Sequence, residues 1–256
     1  MSEFCSVSQQ DGIAIITINR PEVMNSLHPP ANFELEAAVN AFEADASARV
    51  AIFTGAGEKA FSAGNDLKYT AAGHKIEVPE SGFGGLTKNF GRKKPVIAAV
   101  NGVALGGGFE IALACDLIIA SENAVFGLPE PKVGLAALAG GLNRLPRQIG
   151  LKQALGMILT GRHVSAVEGK ELGFVNEVVA AGGALESAIE WAKIIAANSP
   201  QSIRTSLDVV KRSLDVASLE EGISAHYDSV DDLRKGPDAV EGPLAFAEKR
   251  RPNWSA

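Results

Sequence analysis

Two glutamates and three short segments are the parts of this sequence whose residue types and spacing could do chemistry. Glu110 closes Gly106-Gly-Gly-Phe-Glu110, Glu130 closes Phe126-Gly-Leu-Pro-Glu130, and Phe61-Ser-Ala-Gly-Asn-Asp-Leu67 lies upstream of both. Glycines let a ligand approach the backbone closely. If a helix starts at Gly107, its first amides lack intrahelical partners and its dipole favours negative charge there, so the turn can hold an oxyanion. Glu110 is three residues on and falls on the same helix face as residue 107. Its neighbours Phe109, Ile111, Ala112 and Leu113 are apolar, and a carboxylate among apolar residues needs a reason, because burying an unpaired charge is costly. Glu130 stands between Pro129 and Pro131 at a rigid loop end. Two carboxyls at one reacting centre can serve as a general acid–base pair, one holding water while the other delivers a proton. In the upstream segment Gly64 permits a tight loop, so the Asn65 amide could point inward as a second donor, and two such amides on one carbonyl oxygen make an oxyanion hole.

The elements that must position these residues follow from the pattern around them. Asp11-Gly12 is a hairpin signal, and Ile13, Ile15, Ile16 and Ile18 continue as a strand that Pro21 stops. Residues 31–45 have helical spacing, with Phe33, Ala37 and Ala41 on one side and Leu35, Val39 and Phe42 widening it. Residues 50–54, 95–100 and 117–120 read as short buried strands, and residues 107–116 as a short apolar helix. Residues 71–94, rich in glycine, read as a mobile loop with one short helix; such a loop inside a compact domain is usually functional. Beyond residue 143 the pattern turns helical over 144–159, 183–197, 199–213, 218–234 and 237–250, with Ser199 as N-cap and Pro200 at the first helical position of the third. Strand–helix–strand order suggests an α/β protein, with an α/β core at 1–198 and a helical unit at 199–256. No internal repeat is evident.

Composition narrows the class. The chain has 256 residues, 46% hydrophobic and 21% charged, which suits a globular protein with a sizeable core. Its net charge of −6 and pI near 5.3 argue against nucleic acid as a partner. Cys5 and Cys115 are the only cysteines, which suggests free thiols and a cytoplasmic setting. No signal peptide or membrane-length apolar run is visible. His28, His74, His163 and His226 are scattered, so neither a metal nor a separate cofactor is expected. The Gly106 cluster lacks G-x-G-x-x-G, and Glu130 is flanked by prolines, so the dinucleotide-binding fingerprint fails.

Taken together, NRPEVMNSL at 19–27, FSAGNDL at 61–67, KPVIAAVNGVALGGGFE at 94–110, CDLIIASENAVFGLPE at 115–130, GG..RLPR..G at 140–150 and FAEKRRPNW at 246–254 resemble the enoyl-CoA hydratase/isomerase (crotonase) family over nearly the whole chain. The resemblance implies a ClpP-like spiral of β-β-α units with C-terminal helices that form homotrimers, often stacked into hexamers. It implies an acyl-CoA thioester substrate whose carbonyl is held by the backbone amides of Asn65 and Gly107. Glu110 is then the base that activates water for attack at C3, and Glu130 the acid that protonates C2. CoA would lie along Ser26, Leu27, Ala63, Gly64, Asp66, Leu67, Lys68 and Gly106, with Lys59, Lys68 and Lys249 of a neighbouring subunit as phosphate partners. Retention of both acids is the hydratase pattern; an enoyl-CoA isomerase, which needs one, is the nearest catalytic alternative, and the two acids with the acidic pI argue against a non-catalytic scaffold or RNA binder. The GFGGL stretch at 82–86, GGGFE and GG..RLP are also similar to the carnitinyl-CoA dehydratase branch, although that branch often has tryptophan where Asn65 stands. Ala136-Ala-Leu-Ala-Gly-Gly141 departs from the usual glycine-rich stretch, and Leu138 there is expected to reshape the acyl side.

Overall fold

A computed structural model describes residues 2–255. The chain opens with β1 (Cys5–Gln10) and β2 (Ile13–Ile18), an antiparallel hairpin in which Cys5 pairs with Ile18 and Gln10 with Ile13. Asp11 and Gly12 turn it with positive φ angles of 52° and 77°, the conformation that favours Asp-Gly in two-residue hairpins. Helix α1 (Pro29–Ala44) follows, then β3 (Val50–Gly55), β4 (Ala60–Ser62) and the short α2 (Leu67–Ala71). Next come β5 (Val96–Val100), β6 (Val103–Leu105), α3 (Gly107–Ala114), β7 (Leu117–Ser121) and β8 (Val125–Gly127). The rest is largely helical: α4 (Gly141–Gln148), α5 (Leu151–Thr160), β9 (His163–Ser165), α6 (Ala166–Leu172), β10 (Glu177–Val179) and α7 (Ala184–Ala196). The final helices are α8 (Pro200–Ser213), α9 (Leu219–Ser224), α10 (Asp228–Lys235) and α11 (Asp238–Ala247).

Two sheets organise the core. One has the order β1-β2-β3-β5-β7-β10, parallel from β2 onward; the other has the order β4-β6-β8-β9, parallel except for the β8–β9 pair. The chain therefore makes the same step three times, from β3 to β4, β5 to β6 and β7 to β8, leaving the first sheet for the second. This is the expected spiral, a structural repeat without a sequence repeat. Every residue of β3 and β5 is buried, which is why they read as continuous apolar runs. One face of the large sheet packs on α7 through Ala184, Ala188 and Ala192, small residues one turn apart that let the helix lie close. The core on the other side gathers α1, α3, α4 and the second sheet.

Three expectations are corrected. The face of α1 that is buried is Ala31, Asn32, Leu35, Ala38, Val39 and Phe42, while Phe33, Ala37 and Ala41 point outward. Residues 82–87 of the supposed mobile loop are buried. The helical stretches 144–159 and 218–234 are each two helices, broken by extended Ile149 and Ala225. Ser199 does cap α8, its hydroxyl accepting from the Ser202 amide at 3.1 Å. Helices α8 and α10 are tied by the Thr205 hydroxyl donating to the Ser229 carbonyl, and Lys211 of α8 pairs with Asp116 of the core at 3.0 Å. No helix among the described residues is long and apolar enough to cross a membrane.

Candidate active site

Helix α3 is central and apolar, with Gly107 through Leu113 all buried. Gly106 enters it with φ +53°, a backbone region that side chains avoid. The Gly106 amide donates to the Gly127 carbonyl of β8, whereas the Gly107 amide, the first of the helix, donates to no protein acceptor among the described residues. Glu110 lies one turn along and is 3% exposed. Its Oε1 accepts from the Gly141 amide at 2.8 Å, at the first residue of α4. Burial pushes the Glu110 pKa up to about 7; the charge of Glu130 adds to the rise, and the Gly141 and Ala139 amides and Arg144 oppose it.

The upstream segment arrives through β4 and an isolated parallel bridge. The Leu27 amide donates to the Gly64 carbonyl at 2.7 Å, and the Asp66 amide donates to the Leu27 carbonyl at 3.0 Å. A parallel strand that binds both neighbours of a residue turns that residue's own amide to the other side, so the Asn65 amide points away from Leu27 and donates to no protein acceptor among the described residues. Behind this bridge sits Asn25, 1% exposed, whose side chain donates to the carbonyls of Ala56 and Ala60 and accepts from the Arg20 amide. The two glycine segments touch backbone to backbone: a Cβ on Gly64 would fall 2.8 Å from the Gly107 nitrogen. The loop that carries the Asn65 amide thereby lies against the start of α3.

Glu130 begins a single 3-10 turn (Glu130–Val133) after β8 and is half-buried. A Cβ added to Gly106 would stand 3.1 Å from Glu130 Oε1, so this carboxyl borders the same glycine turn as Glu110. Its Oε2 is buried without a hydrogen-bond partner. Burial raises its pKa above the ordinary carboxylate value. A buried and a half-buried carboxyl, both with raised pKa values, beside unpartnered amides can hold a water, move a proton and stabilise charge on a carbonyl oxygen.

The other residues singled out in the sequence fall into two groups. Ala63, Leu67 and Lys68 are partly or fully exposed near the bridge. Ser26, Leu27, Gly64 and Gly106 are buried, so their backbone is what they can offer. The Asp66 carboxylate is occupied: Oδ2 pairs with Arg20 at 3.0 Å, and Oδ1 accepts from the Tyr69 amide as the cap of α2. Lys59 is exposed at the edge of β4, and Lys249 is exposed past the end of α11. Leu138 is 77% exposed and lies outside the core, where it lines a cavity of about 440 Å³ with Phe90, Thr87 and Arg144. Sequence reasoning missed Gly141 as the partner of Glu110 and the buried segment around Phe83. The signal for the first was the Gly140-Gly141 pair, where a helix start can offer a bare amide. Among the described residues no group of three or more His, Cys, Asp or Glu is placed to hold a metal ion.

Comparison with known proteins shows the family and the fold. The sequence matches the enoyl-CoA hydratase/isomerase family over residues 8–256. The chain belongs to that family. A carnitinyl-CoA dehydratase of Escherichia coli K12 is 42% identical to it over 99% of each chain, and one of Salmonella arizonae is 43% identical over 99% of each. The crystal structure of an enoyl-CoA hydratase from Mycobacterium tuberculosis H37Rv superposes with a TM-score of 0.93 at 40% identity, covering 98% of each chain. That of a carnitinyl-CoA hydratase from Mycobacterium avium superposes at 0.78 with 40% identity, again over 98% of each. In this enoyl-CoA hydratase/isomerase member the two-sheet spiral is the crotonase fold, and the candidate site draws on the segments that follow β4, β6 and β8.

Proposed function

We propose that this chain adds water reversibly across the C2–C3 double bond of a 2-enoyl-CoA thioester. The observation that carries the reading is Glu110: a carboxyl 3% exposed, with its pKa pushed up to about 7, one helical turn from an amide that has no partner. A general base works best when its pKa lies near the working pH. The thioester carbonyl accepts hydrogen bonds from the Asn65 and Gly107 amides, which draws electron density from the double bond. One such donor is typically worth about 3 kcal/mol in the transition state. Glu110 keeps Oε1 on the Gly141 amide and uses its other oxygen to take a proton from water as the water oxygen bonds C3. Glu130 gives a proton to C2, and return of the proton from Glu110 to Glu130 resets the pair. Reversal of these steps is dehydration. This chemistry uses carboxyls and amides alone and needs no separate cofactor, coenzyme A being part of the substrate.

CoA runs along the 61–68 segment, with Lys68 and Lys59 at its phosphates and Lys249 reaching it from a neighbouring copy. That last role requires an oligomer, and we propose a homotrimer or a dimer of trimers joined through residues 199–256. Leu219, Ile223, Val240 and Phe246 of this region are 80, 76, 70 and 89% exposed, a density of bare apolar side chains that marks an interaction surface. Two free, buried cysteines suit a cytoplasmic setting.

A second reading, dehydration of a carnitinyl thioester, is favoured by the 42% identity to proteins bearing that name. It uses the same pair and the same hole. The test of the first reading is the ultraviolet absorbance of crotonyl-CoA, which falls on hydration. No loss of absorbance with any 2-enoyl-CoA rules it out, and turnover confined to crotonobetainyl-CoA selects the second. A 3-enoyl-CoA assayed alongside separates hydratase from isomerase by product.

A further inference from the structure

The segment 81–88 is fixed in place by three elements. On α1, Glu36 accepts from the Ser81 hydroxyl at 2.6 Å and Asn32 accepts from the Gly84 amide at 2.7 Å. A Cβ on Gly85 would meet the Glu36 backbone, and one on Gly84 would meet Ile111 of α3. On α4, Arg144 donates to the Thr87 carbonyl at 2.8 Å. Within the segment the Phe83 amide donates to the Thr87 hydroxyl at 2.8 Å. The result places one ring: a Cβ on Gly107 would collide with the ring of Phe83, which is 7% exposed. The Phe83 ring therefore lies against the start of α3, on the side toward which a Gly107 side chain would point, one turn before Glu110.

Resting on the hydratase reading, we infer that Phe83 is the specificity-determining wall of the acyl site and that it selects short acyl chains. An acyl group whose carbonyl sits on the Gly107 amide and whose C3 faces Glu110 leaves the reacting centre beside this ring. The backbone that carries the ring is held by Asn32, Ile111 and Thr87, so a longer chain does not displace the ring at small cost; packed interiors yield poorly to added volume. Space exists nearby. The cavity of about 440 Å³ lined by Phe90 and Leu138 shares Thr87 with the pinned segment, and it shares Ala139 with the loop that leads to Gly141. Shortening Phe83 vacates the volume of its ring beside the start of α3.

The experiment measures kcat/KM for crotonyl-CoA, 2-octenoyl-CoA and 2-dodecenoyl-CoA with the wild type and Phe83→Ala. The wild type is expected to lose at least about tenfold between the shortest and longest substrate, and Phe83→Ala to narrow that gap at least about tenfold by gaining on the long chain, in the range a pocket earns from added methylenes. A flat wild-type profile, or a ratio unchanged in Phe83→Ala, overturns the inference and leaves the hydratase reading standing. No turnover of any 2-enoyl-CoA removes that reading and this inference with it. If circular dichroism shows Phe83→Ala unfolded, Phe83→Leu takes its place with a smaller shift in the same direction, and an unchanged ratio there overturns the inference equally.

Discussion

Glu110 and Glu130 border one glycine turn from two regions built on different terms. The Glu110 region is a helix apolar but for that acid, which is held by a backbone amide from the start of α4 on its Oε1. The Glu130 region is a proline-flanked turn at the end of β8, where the carboxyl is half-buried and one oxygen has no partner. Burial raises both pKa values; at Glu110 the amides of Gly141 and Ala139, from another segment, favour the ionised form, whereas at Glu130 only its own backbone amide does so. The difference teaches how two identical side chains can divide the work: an oxygen engaged by a distant amide fixes a base, and a carboxyl with one buried oxygen left without a partner keeps its proton for donation.

The largest expected effect tests that division. Glu110→Gln and Glu130→Gln should each lower kcat for hydration at least about a hundredfold. Near-normal hydration in both variants breaks the assignment. A large loss in Glu110→Gln alone, with isomerisation of a 3-enoyl-CoA retained in Glu130→Gln, would show that only the helix-borne acid moves protons. The pair also fixes the pH profile. Because the base must be ionised, kcat/KM should climb as pH rises through about 7, and a profile already flat below pH 6 would place the working base elsewhere.

The next effect is on stability, and its sign is opposite to that of an ordinary salt-bridged acid. The folded pKa of Glu110 is about 7 against an ordinary 4.5. Below 4.5 both the folded and the unfolded chain hold the proton. Between 4.5 and 7 the unfolded chain has released it while the folded one still binds it, so stability falls as pH rises across that window and levels off above it. At about 1.4 kcal/mol per pKa unit the full loss is about 3 kcal/mol. Glu110→Gln removes this dependence, so the inactive variant should be the more stable protein at pH 8, by an amount that vanishes near pH 4. Denaturant unfolding at the two pH values measures it. Equal stabilities at pH 8 would mean that the buried carboxylate costs the fold nothing.

Much of this arrangement was legible in the sequence where the signal is local. Asp11-Gly12 dictates its turn by backbone conformation, and Ser199-Pro200 starts its helix by capping, so both could be read from adjacent residues. Gly107 as a helix start followed from the glycine run. The rest depends on contacts between distant segments. The sequence put Phe33, Ala37 and Ala41 on one apolar face of α1 widened by Leu35, Val39 and Phe42, and which part of that face turns inward is decided by the sheet and the 82–87 segment rather than by the helix. That segment looked like loop because its burial comes from Asn32, Ile111 and Arg144, none of which is near it in sequence. Strands β4, β6, β8 and β9 are three residues each, too short to show a period. The convergence of Glu110 with Glu130 was readable only through the family's blocks, since spacing along the chain does not tell which loops meet.

The smallest effect bears on the amide that distinguishes the two acids. Gly141 has an ordinary backbone conformation, but an added Cβ would stand 3.1 Å from Glu110 Oε1, with Ala137 and Leu128 at 3.0 and 3.1 Å. Gly141→Ala should therefore fold, displace the Glu110 carboxyl by a few tenths of an ångström and lower kcat by up to about tenfold with KM little changed, since misplacement of a reacting group acts on the chemical step. Gly106→Ala is its counterpart. There the Cβ would stand 3.1 Å from Glu130 Oε1, and φ is +53°, so strain of about 1–3 kcal/mol falls on the fold as well. The two variants separate placement from strain: the first should change kcat while leaving unfolding almost untouched, and the second should change both. If Gly141→Ala kept full kcat, the Glu110 carboxyl would not depend on the Gly141 amide for its working position, and the contrast between an anchored base and an unanchored acid would no longer hold.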